Sequence, residues 1–266
     1  MEATDLAAYR LPPLKPPIFI LGNPRSGTTM LRLMLTCHRE IVVPPECGFA
    51  VWFYDAYRDW NPSRTAAFVD DLMGARKFCT WGVSRDELTD FFARRLPTSY
   101  AEAAALVYEC YGRCRGRRFS RWGDKNNFHI DHIDTLDELF PRSFFVHIVR
   151  DGRSVACSYQ QMHAEAFESR FAPQLPSKIA DVAAEWRGNN EKIDAGLAAL
   201  GPGRSHRLRF EDLVCDRPTG PVRCTRRGFR PEDARILAFQ CEPRARARRA
   251  HVVEEENAAA ADPVGG

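Results

Sequence analysis

Residues 22–29, which read GNPRSGTT, have the composition of a phosphate-binding loop. Successive backbone N–H groups in such a turn, together with the positive end of the dipole of a following helix, form a cradle for an anion. We expect Gly27 to let the backbone approach that anion closely. The side chains that can donate to it are those of Arg25, Ser26, Thr28 and Thr29. A turn followed by a hydroxyl-capped helix is the simpler alternative.

The spacing of this loop argues against a nucleoside triphosphate as its ligand. It matches the Walker A pattern G-x-x-x-x-G-K-[ST], except that Thr28 stands where the pattern has lysine. Because that lysine reaches the β- and γ-phosphates, its replacement disfavours phosphoryl transfer. Arg25 supplies a cation from the other side of the loop. This arrangement suits a ligand with one 5′-phosphate that carries a small charged group.

A second candidate anion site follows an apolar segment later in the chain. Residues 144–149 read FFVHIV and end directly before Arg150, and Ser158 lies eight positions further on. A guanidinium pairs with a phosphate through two parallel hydrogen bonds, and a hydroxyl one to two helical turns away adds another donor. The two residues therefore predict a second phosphate anchor. An ion pair between Arg150 and Asp151 is the alternative.

Both segments resemble the donor-binding motifs of the sulfotransferases that depend on 3′-phosphoadenosine-5′-phosphosulfate (PAPS). Residues 23–29 are similar to the family's 5′-phosphosulfate loop, and residues 146–158 are similar to its 3′-phosphate motif. The arginine version of the loop most resembles the tyrosylprotein sulfotransferases and their soluble bacterial relatives. Residues 209–213, RFEDL, resemble an element near the adenosine, with phenylalanine in place of tyrosine. The residues that this resemblance implies for donor binding are Arg25, Ser26, Gly27, Thr28, Thr29, Arg150, Ser158 and Phe210.

The resemblance also implies catalytic roles for Glu46 and Lys125. Glu46 follows Arg25 by 21 residues, the offset of the catalytic glutamate in relatives with the arginine loop, and two prolines before it favour an extended segment. On the residues alone, Glu46 would be an exposed loop glutamate. Lys125 resembles the lysine that stabilises the leaving phosphate. Asn127 occupies the position of the histidine base in the cytosolic enzymes, which excludes such a base here.

Together these motifs predict a sulfotransferase that moves the sulfuryl group of PAPS to a hydroxyl or amine. The acceptor would be a small molecule, a peptide or a carbohydrate that the sequence does not identify. Glu46 would be the general base, and Lys125 with Arg25 would stabilise the leaving phosphate, so that no metal is required. Two alternatives stay open: a P-loop kinase or NTPase, and a catalytically impaired nucleotide-binding relative.

The order of the strands and helices that must position these residues indicates an α/β fold. We expect a central parallel sheet flanked by helices, as in the P-loop-like sulfotransferases. The predicted strands are residues 18–21, 144–149 and 206–210, and the predicted helices are 28–38, most of 49–118, a helix from about 154, and 178–199. We divide the chain into a proline-rich leader (1–16), the sulfotransferase domain (17–215) and a divergent segment rich in arginine and proline (216–266). We expect the end of that segment to be disordered. A genuinely divergent end and a shifted reading of the sequence both remain possible explanations for it.

The segment between the two anion sites does not determine which residues bind the acceptor. Its aromatic residues fit either core packing or an apolar wall for the acceptor. They are Phe49, Trp52, Phe53, Tyr54, Tyr57 and Trp60. His129 and His132 are interpreted first as helix residues and second as acceptor ligands.

Composition excludes several classes of protein. The 38 basic residues nearly balance the 35 acidic ones, a surplus too small to indicate a nucleic-acid partner. No run of about 18 apolar residues predicts a membrane span, and the first 17 residues lack the apolar centre of a secretory signal. Nine cysteines without a CxxC pair indicate free thiols in a reducing compartment. We therefore expect a cytoplasmic protein.

Overall fold

The fold is built around a parallel sheet, as predicted. The computed structural model describes residues 14–164 and 174–215, and most of the predicted leader and all of the segment 216–266 lie outside these ranges. The strands are β1 (Lys15–Leu21), β2 (Ile41–Val42), β3 (Arg121–Lys125), β4 (Phe144–Val149) and β5 (Ser205–Arg209). They lie in the order β2-β3-β1-β4-β5, and every pair is parallel.

Helices cover both faces of the sheet. They are α1 (Thr28–Thr36), α2 (Phe49–Trp52), α3 (Tyr54–Tyr57), α4 (Thr65–Gly74), α5 (Arg85–Arg95), α6 (Tyr100–Cys114), α7 (Ile133–Leu139), α8 (Gly152–Ala164), α9 (Ile179–Ala199) and α10 (Phe210–Cys215). Short 3-10 helices cover Pro62–Arg64, Phe78–Trp81 and Asn127–Asp131. In the described ranges, no helix combines the length and the apolar character needed to cross a bilayer.

The central strand β1 shows why the sheet is buried on both sides. Ile18 and Ile20 face a small cluster that includes Leu31 of α1, whereas Phe19 and Leu21 face the larger cluster formed with α2–α7. Alternate residues of one strand point to opposite faces, so an unbroken apolar run is what a strand between two helical layers requires. This run is the reason the sequence predicted β1.

The register brings the carboxyl ends of three neighbouring strands together. Ile20 of β1 pairs with Lys125 at the end of β3 and with Val146 of β4. The loop 22–29, Lys125 and Arg150 therefore leave the sheet at the same edge. Ligands of open parallel sheets bind at this edge, where the connections emerge.

The predicted elements agree with the observed ones, with small shifts at their ends. The strand 144–149 is observed as predicted, and the helix predicted at 178–199 is α9. β1 begins at Lys15, earlier than predicted, because the Lys15 N–H donates to the Ser120 carbonyl at 2.7 Å. The strand predicted at 206–210 ends at Arg209, since Phe210 already begins α10.

Candidate active site

The loop between β1 and α1 has a backbone that few residue types adopt. Arg25 (φ 66°) and Gly27 (φ 91°) are both left-handed, on either side of the buried Ser26. Gly27 is required for a second reason, because a Cβ atom there would lie 2.3 Å from Cδ2 of Phe210. Left-handed residues in a turn before a helix are typical of loops whose successive backbone N–H groups bind an anion.

Asn23 fixes this loop to the helices beneath it, a role that sequence reasoning missed. Its fully buried side chain donates to the hydroxyl of Tyr159 on α8 (3.1 Å) and accepts from the amide of Asn189 on α9 (2.8 Å). Tyr159 in turn donates to Glu185 at 2.7 Å. A buried and satisfied polar network of this kind holds its members in one arrangement. Hydrogen bonds to α8 and α9 therefore preorganise the loop.

The second predicted anchor lies directly against the loop. Nη1 of Arg150 donates to the carbonyl of Arg25 (3.0 Å), and Nε of Arg25 donates to Oγ of Ser158 (3.0 Å). Asp151, the alternative partner of Arg150, is instead paired with Arg153 at 2.7 Å. The two predicted anion sites thus form one continuous surface at the edge of the sheet.

Phe210 closes this surface on one side. The guanidinium carbon of Arg150 lies 4.4 Å from the centroid of the Phe210 ring, and the same ring packs on Gly27. Stacking of a guanidinium on an aromatic face fixes its plane while leaving its N–H groups available. Phe210 therefore orients Arg150 and limits the space above the loop.

Among the buried side-chain atoms that have no hydrogen-bond partner within the described part of the chain, two are donors of the loop and of the second anchor. They are Oγ of Ser26 and Nε of Arg150. Buried polar groups in folded proteins are nearly always hydrogen-bonded, so such atoms at a surface of this kind indicate a ligand that completes them. An oxyanion is the ligand that would complete both donors.

Glu46 and Lys125, which the sequence separates by 79 positions, are in contact. The ammonium group of Lys125 donates to Oε1 of Glu46, and Lys125 is only 3% exposed. A second lysine that the sequence analysis did not identify, Lys77, donates to Oε2 of Glu46 at 2.6 Å. One carboxylate is thus held between two ammonium groups, one on each oxygen.

This arrangement sets the protonation states of the cluster. Burial by itself would raise the pKa of Glu46, but the charges of Lys125 and Lys77 outweigh burial and lower this pKa to about 2. Burial lowers the pKa of Lys125, and the charge of Glu46 partly offsets that effect. Glu46 is therefore ionised at neutral pH, and its carboxylate can accept a proton.

The predicted site residues divide into two groups. The first group consists of Glu46 and Lys125, which are in contact. The second group forms the loop or lies against it, and its members are Arg25, Ser26, Gly27, Thr28, Arg150, Ser158 and Phe210. Arg25, predicted to be catalytic, directs its Nε to Ser158 and thus belongs to the second group. Thr29 is exposed at the start of α1. The register of β1 and β3 places both groups at one edge of the sheet.

His129 lies in the 3-10 helix Asn127–Asp131, in agreement with its first interpretation as a helix residue, and its side chain belongs to the core. Its ring is fully buried, and Nε2 lies 2.8 Å from Oδ2 of Asp124, which also accepts from the hydroxyl of Tyr108. Asp124 is the neighbour of Lys125 on β3, so this network fixes the strand end that carries the lysine. His132 packs its ring against Phe128, with 4.6 Å between the centroids.

Most of the aromatic residues at 49–60 are core residues, but Trp52 is not. Phe49 and Tyr57 are buried, and Phe53, Tyr54 and Trp60 pack against the same cluster. Trp52 is 36% exposed and lies edge-to-face with Phe128, which is 41% exposed. The indole rests on Gly48, where a Cβ atom would lie 2.5 Å from it. These two rings follow Glu46 and Lys125 closely in the chain.

A phosphate-type loop after the central strand of a parallel sheet, with a cationic anchor after the neighbouring strand, defines a P-loop-like α/β protein. Within that class the chain belongs to the sulfotransferase family, because the model of the "Sulfotransferase family" matches residues 16–220. The predicted resemblance is thereby confirmed.

Individual relatives agree with this assignment. The chain is 27% identical over 239 residues to the omega-hydroxy-beta-dihydromenaquinone-9 sulfotransferase Stf3 of Mycobacterium tuberculosis, covering 78% of this chain and 61% of that protein. It is 24% identical over 216 residues to protein-tyrosine sulfotransferase 2 of Gallus gallus, covering 80% of this chain and 51% of that protein. The chain thus spans between half and three fifths of the length of these relatives.

A solved structure shares the fold. The sulfotransferase domain from the curacin biosynthetic pathway superimposes with a TM-score of 0.52 at 21% identity, over 89% of this chain and 77% of that domain. This similarity supports the P-loop-like sulfotransferase fold that the sequence predicted.

Proposed function

We propose that the protein transfers the sulfuryl group of PAPS to a hydroxyl or amine of an acceptor. The observation that carries the proposal is the contact between the loop and the second anchor, through Arg150, Arg25 and Ser158. Two cationic groups on one surface suit a nucleotide with a phosphate at each end. The ionised Glu46 beside a buried lysine lies at the same sheet edge.

The donor fits the residues that are present. The loop N–H groups, Ser26 and Thr28 would hold the 5′ end, and Arg150 with Ser158 would hold the 3′-phosphate. The unpartnered Oγ of Ser26 and Nε of Arg150 are the donors that such a ligand would complete. PAPS supplies the sulfuryl group, and adenosine 3′,5′-bisphosphate is the group that leaves.

The chemistry required of the protein is proton removal and neutralisation of charge. Glu46 accepts the proton of the acceptor hydroxyl while a new S–O bond forms and the S–O bond to the leaving phosphate breaks. Lys125 neutralises the charge that develops on the leaving oxygen. As Lys125 turns towards that oxygen, Glu46 loses one of its two ammonium partners and becomes a stronger base. Arg25 is exposed, so its guanidinium can rotate from Ser158 to assist without disturbing the core.

The exposed pair of Trp52 and Phe128 is proposed as the wall that binds the acceptor. Each ring follows a catalytic residue by only a few positions, Trp52 after Glu46 and Phe128 after Lys125. The absence of a side chain at Gly48 lets the indole lie against the backbone beside Glu46. Large exposed rings next to a reactive group favour an acceptor whose hydroxyl or amine is attached to an apolar or aromatic body.

Transfer of ³⁵S from labelled PAPS to a panel of phenols, apolar alcohols, sugars and peptides tests the proposal. We expect transfer to acceptors with an apolar body. In Trp52→Ala the KM for such an acceptor should rise by about tenfold or more, which corresponds to the loss of a buried aromatic contact, with an unchanged KM for PAPS. Trp52→Phe, which keeps a ring, is the matched control.

The outcomes of this experiment distinguish the proposed sulfuryl transfer from the proposed acceptor wall. No transfer to any acceptor would contradict the sulfotransferase proposal. Transfer with the same acceptor KM in Trp52→Ala would contradict only the proposed wall.

A further inference from the structure

Lys77 is a charged residue at this site, and neither the family motifs nor the proposed reaction uses it. We propose that Lys77 is a positioning residue, which holds Oε2 of Glu46 in place while Lys125 leaves Oε1 to stabilise the departing phosphate. This inference rests on the proposed function and assigns to the base a partner that the sequence did not reveal.

The contacts divide the carboxylate between the two lysines. Lys77 donates to Oε2 at 2.6 Å, and Lys125 donates to Oε1. A carboxylate held on one oxygen only could rotate about its terminal torsion, since that torsion is broad. With Lys77 on Oε2, Oε1 keeps its direction when Lys125 moves away.

Two hydrogen bonds connect the segment that carries Lys77 to the segment that carries Glu46, one to the residue before Glu46 and one from the residue after it. The indole Nε1 of Trp81 donates to the carbonyl of Pro45 at 2.9 Å. The thiol of Cys47 donates to the carbonyl of Arg76 at 3.5 Å. The residues before and after Glu46 are thus tied to residues on either side of Lys77, which fixes the distance between the two backbones.

The backbone conformation of Lys77 supports the proposal that its side chain has a specific role at this site. Its φ of 69° is left-handed, a conformation that costs a residue with a Cβ atom about 1 kcal/mol or more. Lys77 directly precedes the 3-10 helix Phe78–Trp81, whose Phe78 and Trp81 are buried. The surrounding core therefore maintains a conformation that lysine does not favour, at the position whose side chain reaches Glu46.

The charges around the carboxylate explain why a second cation is needed. Lys125 on β3 and Lys77 form ion pairs with Glu46, and the charge of Arg32 on α1 contributes to lowering the pKa of Lys125. Glu46 would otherwise depend on Lys125 alone, and the departure of Lys125 would leave a largely buried carboxylate without an ion-pair partner. Such a carboxylate is costly and takes up a proton, which would disable it as a base.

The test compares Lys77→Met, which removes the charge, with Lys77→Arg, which keeps it. The pKa of the Glu46 carboxyl is measured by ¹³C NMR titration, with Glu46→Gln used to assign the signal. The second measurement is the acid limb of the pH profile of kcat/KM. Removing an adjacent cation raises the pKa of a carboxyl, so both should move to higher pH by at least about one pH unit in Lys77→Met.

Lys77→Arg should restore the wild-type titration, because the guanidinium supplies the same charge. The Kd for adenosine 3′,5′-bisphosphate should stay within about twofold in both variants, since Lys77 forms its ion pair with Glu46, whereas Arg150 and the loop are the proposed donor site. If Lys77→Met folds poorly, Lys77→Gln removes the charge while keeping a polar side chain.

An unchanged Glu46 titration in the charge-removing variant would overturn the proposal for Lys77. So would a loss of transfer in Lys77→Arg equal to that in Lys77→Met. A wild-type protein that transfers sulfate to no acceptor would instead overturn the proposed function. The carboxyl titration, which needs neither donor nor acceptor, separates these two failures.

Discussion

Glu46→Gln is expected to lower kcat by about 10²–10⁴-fold, the range found when a general base is removed. Glutamine keeps the shape of the side chain, but it cannot take the proton of the acceptor. Its single carbonyl oxygen can accept from only one of the two lysines, because its NH2 group is a donor and faces the other ammonium group. Binding of adenosine 3′,5′-bisphosphate should change little, because the proposed donor contacts are those of the loop and Arg150 rather than Glu46. Single-turnover transfer from labelled PAPS measures the chemical step directly.

The same substitution has a structural cost that must be measured with it. Lys125 is buried, and removing its carboxylate partner leaves a buried charge uncompensated, a change that typically costs about 3–5 kcal/mol. The Tm of the variant should therefore fall even where the fold is kept. Glu191→Gln, at an exposed position of α9, is the matched control and should leave both Tm and rate unchanged. A folded Glu46→Gln protein with an undiminished rate would remove Glu46 as the base.

Arg150→Ala is expected to raise the Kd for adenosine 3′,5′-bisphosphate by about 10- to 100-fold, because hydrogen bonds to charged groups contribute about 1.5–3 kcal/mol. The guanidinium also donates to the carbonyl of Arg25 and stacks on Phe210, so its loss removes support from the loop as well. Calorimetric titration measures the effect.

Arg153→Ala is the matched control for Arg150→Ala. Its guanidinium is 91% exposed and pairs with Asp151 rather than with the loop. An exposed ion pair contributes little, so this variant should bind the bisphosphate as the wild type does. Equal losses in the two variants would show that general positive charge, rather than a defined anchor at Arg150, attracts the nucleotide.

The parts of the fold that could be predicted from sequence are those with a local cause. The run IFIL before the loop is apolar at every position because β1 is covered on both faces, and FFVHIV of β4 has the same origin. The left-handed turn at Gly27 likewise follows from a glycine between a strand and a helix. These signals lie within a few residues of one another, so a sequence pattern contains them.

The parts of the site that could not be predicted join distant segments. Lys77 meets Glu46 across 31 residues, and Asn189 meets Asn23 across 166. Nothing in the local sequence marks Lys77, because its contact with Glu46 depends on the contact of Trp81 with Pro45, which exists only in the folded chain. Phe210 was predicted near the nucleotide, but its packing against Gly27 was not.

The aromatic segment shows the limit of pattern reasoning in another way. Phe49 and Trp52 are similar in type and three positions apart, yet one is fully buried and the other is exposed. Which face of α2 meets the core depends on the packing of α4–α6, which composition does not determine. The sequence therefore left core packing and an acceptor wall open. Core packing is confirmed for Phe49 and Tyr57, and the acceptor wall stays a proposal for Trp52.

The proposed function requires that one surface of the protein binds both ends of a nucleotide that carries two separated phosphates. Calorimetric titration of the wild-type protein with adenosine 3′,5′-bisphosphate, AMP and ATP with Mg²⁺ tests it most directly. We predict one site for the bisphosphate without any metal, and binding at least about tenfold weaker for AMP, which lacks the 3′-phosphate that Arg150 would pair with. Preferential binding of ATP with Mg²⁺, or equal affinity for AMP and the bisphosphate, would contradict the account.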